Sequence, residues 1–559
     1  MSRKPAAAKR VRLFADATGM EVGRGLMPGH IDAIAKAIHS KRTELRTNSK
    51  CGAMGFAGVA AGLACNLLAA CAFGPDFVAP SPPNVTGYTK ESLKTSSASY
   101  GSGQGQGQRF VEKLDIAGQW WEIFHSRPLN DLVEDALKHN PNVQAAQAGL
   151  RVARETTEAQ KGAYAPTITP GYNSFTQKAS TIVSPPSSNP FTPYLTLDTA
   201  QVDVSYTPDV FGLVRREVET DEALAAVQQF QVEATYLTLT SNVVAAAIQE
   251  ASLRGQIAAT KKIIAIESDL LRLLRIQKKL GQVAEADVAL QEAALAQAEE
   301  TLPPLEKQLA QQRDLLTALA GRYPSEEVAQ KFTLESLKLP HELPVSLPSK
   351  VVEQRPDVRA ASATLHSTSA AIGVAIANRL PVINLTANMA TSFDNLGLLF
   401  TPNANAYLLT AAVVQPIFDG FTLYHKQRAA EAAYNQAEAQ YRSTVITAFQ
   451  NVADTLRAIQ ADARAMTASV KAEDAAAKSL AIVRKQLELG QVSTLAVLTT
   501  QQTYLTAILT RVQALANRYA DTAALFQALG GGWWNRMDIP AQEPLDLADV
   551  LRVTAPTPK

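Results

Sequence analysis

Side chains able to do chemistry are few and scattered in this sequence. Its seven histidines never fall at the spacing of HExxH, and no cysteine–histidine cluster occurs, so no metal centre is expected. The run from Ser102 to Gln108 is glycine-rich, but no strand pattern precedes it and no Lys-Ser or Lys-Thr follows. It reads as a flexible linker, not a phosphate loop. Trp533-Trp534 stands beside a glycine turn and reads as a packing or interfacial pair rather than a sugar platform. No nucleophile–base pair emerges. The expectation is a chain that is not an enzyme and takes no cofactor.

One side chain does invite covalent chemistry. The three cysteines are Cys51, Cys65 and Cys71. Residues 41–50 are basic and polar, and residues 51–70 are small and apolar, ending in Leu68-Ala69-Ala70-Cys71. A basic flank, an apolar stretch and small residues before a break describe a secretory signal. The ending resembles the bacterial lipobox, in which the thiol is acylated and the cysteine becomes the new N-terminus. Gly62-Leu63-Ala64-Cys65 is a weaker match. The competing reading, a buried helix with an incidental cysteine, is opposed by Gly52, Gly55, Gly58 and Gly62, each unfavourable in a helix by up to about 1 kcal/mol. Processing at Cys71 would leave one cysteine and no intrachain disulfide. Ala72 follows, where an Asp commonly retains a lipoprotein in the inner membrane, so outer-membrane sorting is expected. Residues 1–40 are long for a signal; Met27 offers another start, and they are left out of the fold.

Lys plus Arg number 53 and Asp plus Glu 52, a balance that gives nucleic acid no basis for attraction. After residue 72 no apolar run reaches bilayer-spanning length, so no transmembrane helix is expected. A soluble chain, an anchored one and a β-barrel all remain open, because barrel strands alternate and escape hydropathy scans.

The elements that would position any site come in duplicate. Leu280-Gly281-Gln282-Val283 recurs as Leu489-Gly490-Gln491-Val492; Pro208 and Gly212 recur as Pro416 and Gly420; Pro141-Asn142-Val143 matches Pro356-Asp357-Val358. An ordered series at nearly constant offset marks a tandem repeat. The first repeat spans 127–347, with strands at about 165–176 and 194–209 around a loop at 177–193. The second spans 348–534, with strands at about 381–392 and 405–416 around a loop at 393–404. Residues 71–126 form an N-terminal segment. Helical spacing predicts one helix over 127–163 and another over 348–379, as with Leu132, Ala136, Val143 and Leu150. Proline-free stretches at 213–279 and 421–489 each predict a helix of about 100 Å, a length suited to a rod or tunnel wall. Val288, Leu295, Leu302, Leu309 and Leu316 recur every seven residues, half of a coiled-coil seam, with a break expected at Pro303-Pro304.

The strands alternate. Ile383, Leu385, Ala387 and Met389 share one face; Val202, Val204 and Tyr206 oppose Gln201, Asp203 and Ser205. Four strands cannot close a membrane barrel, since single-chain barrels begin at about eight. Strands that cross a membrane would therefore be shared among copies: two would supply eight strands and three would supply twelve.

These features resemble the TolC-like outer membrane factors, in their lipoprotein efflux subclass, from about Cys71 to Trp534. The motifs that carry the resemblance are Gly74-Pro75-Asp76-Phe77, Trp120-Trp121, Leu347-Pro348-Ser349, Arg355-Pro356-Asp357-Val358, Ala371-Ile372-Gly373-Val374-Ala375 and Gly530-Gly531-Gly532-Trp533. The resemblance implies a mainly α homotrimer with four strands per subunit in a shared twelve-stranded barrel, continued by a periplasmic helical tunnel. An equatorial belt at 305–347 and 535–559 is implied too. So are a periplasmic adaptor, an inner-membrane pump of the resistance-nodulation-division type that supplies the energy, and outer-membrane lipid around the barrel. The chain would be a passive, gated conduit. Both Leu-Gly-Gln-Val turns (280–283 and 489–492) would be periplasmic tips that meet the adaptor. Just beyond the tip, where many members carry a ring of Asp, the second repeat has Ala496 and Thr499; Asp287 in the first repeat stands opposite Ala496. An acidic gate ring is in doubt, and these three are candidate lining residues. A type I protein-secretion conduit is the alternative channel reading. A lipid-anchored coiled-coil scaffold and an enzyme on a helical stalk are the readings from other classes.

Overall fold

The computed structural model describes residues 73–85, 87–90, 107–112, 114–178, 194–345, 348–394, 397, 399, 401 and 404–536. Cys71 and most of the expected 535–559 belt lie outside these. Four strands form one antiparallel sheet: β2 (Thr167–Lys178), β3 (Tyr194–Tyr206), β5 (Val382–Phe393) and β6 (Asn405–Val414), in the order β2-β3-β5-β6. A shorter parallel pair joins β1 (Arg109–Glu112) to β4 (Glu342–Val345). The sequence reading missed this pair, since four residues are too few for alternation to register.

Long helices continue the sheet. The helices α3 (Leu213–Lys279) and α8 (Thr422–Glu488) have 67 residues each. Both start at a carboxylate: Asp209 accepts the N–H groups of Val214 and Arg215 at 3.0 and 2.9 Å, and Asp419 accepts that of Leu423 at 2.7 Å. Acceptors there satisfy the orphan donors and complement the helix dipole.

The expected single helices at 127–163 and 348–379 are each two. They are α1 (Arg127–His139) with α2 (Pro141–Lys161), and α6 (Pro348–Gln354) with α7 (Pro356–Ala377). Proline in mid-helix lacks a donor and clashes with the preceding turn, but it fits the first helical position. Pro141 and Pro356 therefore restart the helix. The Asn140 side chain caps α2 by accepting the Asn142 N–H at 2.9 Å. The break expected at Pro303-Pro304 comes just before them, at Thr301, between α4 (Glu285–Glu300) and α5 (Leu302–Leu319), and the two prolines sit in the first turn of α5. Thus the first part of the 305–347 belt is helix. In the second half the partner helix, α9 (Thr494–Ala528), is unbroken.

One expectation about membrane helices changes. By length and mean hydropathy, 1.2, α7 qualifies as long and apolar enough to span a bilayer. Ala and Ser, not large aliphatics, make up much of its sequence, so no apolar run stands out. It packs against α3 and α8, and its His366 bonds Glu219 of α3 at 2.8 Å.

The main core lies mid-length along the helices. Trp120, Phe124, Leu129, Leu132, Phe332 and Tyr519 are almost wholly buried there. Trp120 stacks on Phe526 at 5.7 Å, and the Tyr519 hydroxyl donates to the Leu337 carbonyl at 2.7 Å. The buried Arg313 of α5 donates to Glu250 of α3 at 3.0 Å and to the Val328 carbonyl at 2.7 Å, tying the segment after α5 to the long helix.

Candidate conduit and helix tips

The register of the sheet merges the two alternating patterns into common faces. Ile168, Val204, Ala387 and Leu409 stand side by side across the four strands; Pro170, Val202, Met389 and Tyr407 form the next row, and Tyr206, Leu385 and Ala411 another. Cross-strand partners point to the same side, so these rows make an apolar face. It is exposed: Tyr407 is 81%, Leu409 71% and Ile168 66% accessible. The opposite face carries rows such as Thr167-Ser205-Thr386-Thr410 and Thr169-Asp203-Asn388-Leu408. Its polar groups bond one another: Asp203 accepts from Asn388 at 2.6 Å and from Gln201 at 2.8 Å. The outer edges of β2 and β6 have no partner strand among the described residues.

At the other end of the long helices, both Leu-Gly-Gln-Val sequences form the same turn. The Gly281 N–H donates to the Lys278 carbonyl at 2.9 Å and the Gln282 N–H to the Gln277 carbonyl at 2.9 Å. The equivalent bonds run from Gly490 to Leu487 at 3.0 Å and from Gln491 to Gln486 at 2.9 Å. This pair of bonds is the Schellman motif, which requires a left-handed residue; Gly281 and Gly490 have φ of +72° and +70°. A small cluster draws four helices together above the turns: Leu270, Leu271 and Leu274 of α3, Val288 of α4 and Val497 of α9, with Val483 and Leu487 of α8 against them. Val283 joins its margin. Leu280 and Leu489 stay 67% and 61% exposed, as do Gln282 and Gln491, while Val492 is half-buried.

Of the three candidate lining residues, Asp287 and Ala496 stand about one turn further on and Thr499 about two. The Asp287 carboxylate accepts the Ala284 N–H at 3.2 Å and so caps the start of α4. Ala496 is half-buried; Thr499 is exposed and returns its hydroxyl to the Leu495 carbonyl at 2.9 Å. Among the described residues no three His, Cys, Asp or Glu side chains gather as a metal site.

The quoted motifs prove to be joints. Arg355 forks onto Asp357 at 3.0 and 2.6 Å and donates to the Ala528 carbonyl at 2.9 Å, binding the start of α7 to the end of α9. Gly530, Gly531 and Gly532 all have positive φ, and a Cβ on each would lie within 2.8 Å of Gln354, Leu237 or Ala117. Trp533 donates to the Gln354 carbonyl at 2.5 Å, a packing role as expected.

The sequence profile described as outer membrane efflux protein matches residues 132–322 and 347–531. The antibiotic efflux pump outer membrane protein ArpC of Pseudomonas putida is 24% identical over 474 residues, covering 84% of this chain and 94% of that one. Among solved structures, the outer-membrane channel OprN superposes with a TM-score of 0.74 at 22% identity, covering 83% of this chain and 100% of that one. The open state of the MtrE channel of Neisseria gonorrhoeae gives 0.72 at 23%, covering 84% and 100%. With a two-faced sheet at one end, paired turns at the other and a profile match over most of its length, the chain belongs to the outer membrane efflux protein family.

Proposed function

We infer that this protein is the outer-membrane channel of a tripartite efflux pump, a passive conduit for small molecules and not an enzyme. The sheet carries the reading. It has one apolar and one polar face, two edges without a partner strand among the described residues, and helices of 67 residues that prolong it. Open edges cannot face lipid. Three copies would pair β2 of one with β6 of the next and close twelve strands. The apolar rows then meet the bilayer, and the Asp203, Asn388 and Gln201 face lines water. The two profile blocks and the two identical turns support a tandem duplication.

On this reading the turns lie in the periplasm. Leu280, Gly281, Gln282 and Val283, with Leu489, Gly490, Gln491 and Val492, meet an adaptor that couples the channel to an inner-membrane pump of the resistance-nodulation-division type. Exposed Leu280 and Leu489 supply apolar contact area for it. Asp287, Ala496 and Thr499 stand near the closed mouth; Ala496 and Thr499 carry no charge, so of the three only Asp287, which also caps α4, would offer a carboxylate there. Lipid on Cys71 anchors the chain.

Purified protein in planar bilayers should conduct ions, and deleting its gene should sensitise the host to exported compounds until the gene is restored. Silent bilayers together with unchanged sensitivity would overturn the channel reading. Mass spectrometry of the membrane-extracted N-terminus should find diacylglyceryl and acyl mass on Cys71; an unmodified Cys71 would refute the anchor.

A further inference from the structure

Two of the motifs, 299 residues apart at their glycines, meet in space where the sheet joins the helices. Gly74 has φ +111°, and a Cβ there would lie 2.5 Å from the Gly373 Cα; one on Gly373 would lie 2.9 Å from the Phe73 carbonyl. Two glycines thus let backbone touch backbone. Arg216, in the first turn of α3 and 4% exposed, reads the segment. Its Nε donates to the Phe73 carbonyl at 3.3 Å, and its Nη2 donates to the Gly74 carbonyl at 3.4 Å and to Asp76 Oδ1 at 2.8 Å. Its Nη1 donates to Glu219 at 2.6 Å. The other Glu219 oxygen meets His366 Nε2 at 2.8 Å, and the His366 ring stacks on Phe77 at 4.4 Å and 11°. The Phe73 N–H donates to the Phe211 carbonyl at 3.4 Å, in the link between β3 and α3. Beyond Phe77 the chain runs on exposed, with Val78 81% accessible and neither helix nor strand through residue 85.

We propose that Arg216, Glu219, His366 and Gly373 form a binding site for the chain's own segment Phe73–Phe77, and that its occupancy latches α3 to α7 at the base of the sheet. The chemistry is a peptide site: a guanidinium that reads two main-chain carbonyls and one carboxylate, an aromatic platform, and a glycine seat. Withdrawal of the segment removes three of the four Arg216 acceptors named above and leaves Glu219 as the remaining one. The consequence for anchoring rests on the outer-membrane reading. Cys71 is two residues before Phe73, so a lipid on it would be tethered to the latched segment by at most about 7 Å of chain. Acyl chains carried there would enter the leaflet beside the apolar face.

Limited chymotrypsin digestion of the purified, assembled protein tests the latch, with cleavage after Phe77 followed by mass. The exposed Leu280, 67% accessible, followed by Gly281 and remote from the site at the helix tip, is the internal control. Gly373→Val fills the seat and should speed cleavage at Phe77 at least tenfold while cleavage at Leu280 is unchanged. If that variant does not assemble, Asp76→Ala carries the test, because the Asp76 side chain is 93% exposed and its loss leaves the body intact; a tenfold rise is expected again. Cleavage at Phe77 at the wild-type rate in either assembled variant, or a rise shared equally by Leu280, overturns the proposal. Failure of the channel reading would appear in the bilayer conductance, which this digestion does not measure.

Discussion

Single residues set both the tips and a proton-sensitive seam. A Cβ on Gly281 or Gly490 would meet nothing within 4 Å, so substitution there is a matter of φ alone. Valine, branched and disfavoured at positive φ, should cost about 1 kcal/mol or more. Gly281→Val or Gly490→Val is expected to reduce export and cross-linking to the adaptor while membrane insertion persists; Asn, which tolerates that φ, should restore both. Full export by both valine variants would show that the turn geometry is not needed. Between α8 and α9, burial and a hydrogen bond with Asp521 push the Asp462 carboxyl up from 3.8 to about 7, against the opposing pull of Arg518. Asp462 therefore holds its proton more tightly folded than unfolded. The stability this gives is full below about pH 4 and is lost as pH rises toward about 7. Asp462→Asn should stabilise the protein at pH 8 by on the order of 1 kcal/mol, allowing for solvent screening of a half-exposed group. It should change little at pH 4. Equal thermal shifts at both pH values would refute the assignment.

At the scale of elements, the Arg355 fork shows why a motif can be visible without its reason being visible. Arg355-Pro356-Asp357 stood out in the sequence, but its partner, the Ala528 carbonyl, is 173 residues away. Lysine cannot reproduce a two-nitrogen grip on Asp357 together with a third bond. Arg355→Lys is expected to destabilise the α7–α9 joint by about 1–3 kcal/mol. Thermal unfolding checks it, and an unchanged midpoint would leave the fork without energetic weight. The long helices were legible because proline-free runs and their flanking glycines are local signals, and the strands were legible through alternation. What escaped was long-range or brief. The β1–β4 pair joins residues some 230 positions apart, as in Arg109 with Glu342. Gly74 and Gly373 were noted separately, with nothing local to say that they touch. The breaks at Asn140 and Arg355 were legible in the prolines that follow them and were overridden by the helical period on both sides. Of the candidate sites, the tip glycines were legible because a Schellman turn demands its own residue type. The capping role of Asp287 depends on where α4 begins, which the sequence left open by a few residues.

For the whole molecule, the two faces of the sheet make opposite demands on their surroundings, and that difference can be tested one residue at a time. Leu409 and Met389 lie in apolar rows and are 71% and 60% exposed in a single chain. Burying such surface in lipid is favourable, whereas a cation placed there at mid-membrane costs about 2–4 kcal/mol. In a barrel shared by three chains that penalty is incurred three times. Gln201 lies on the other face, bonded to Asp203, where water would fill the lumen. Native mass spectrometry in detergent should find three copies of the wild-type chain, since four strands with two free edges cannot close alone. Leu409→Arg should sharply reduce the assembled trimer in outer membranes. Gln201→Arg should assemble normally and, by adding positive charge beside Asp203, lower the cation preference of the conductance. If the arginine on the polar face blocked assembly and the one on the apolar face did not, the sheet would be turned inside out relative to this account. A folded monomer that conducts by itself would remove the need for a shared barrel.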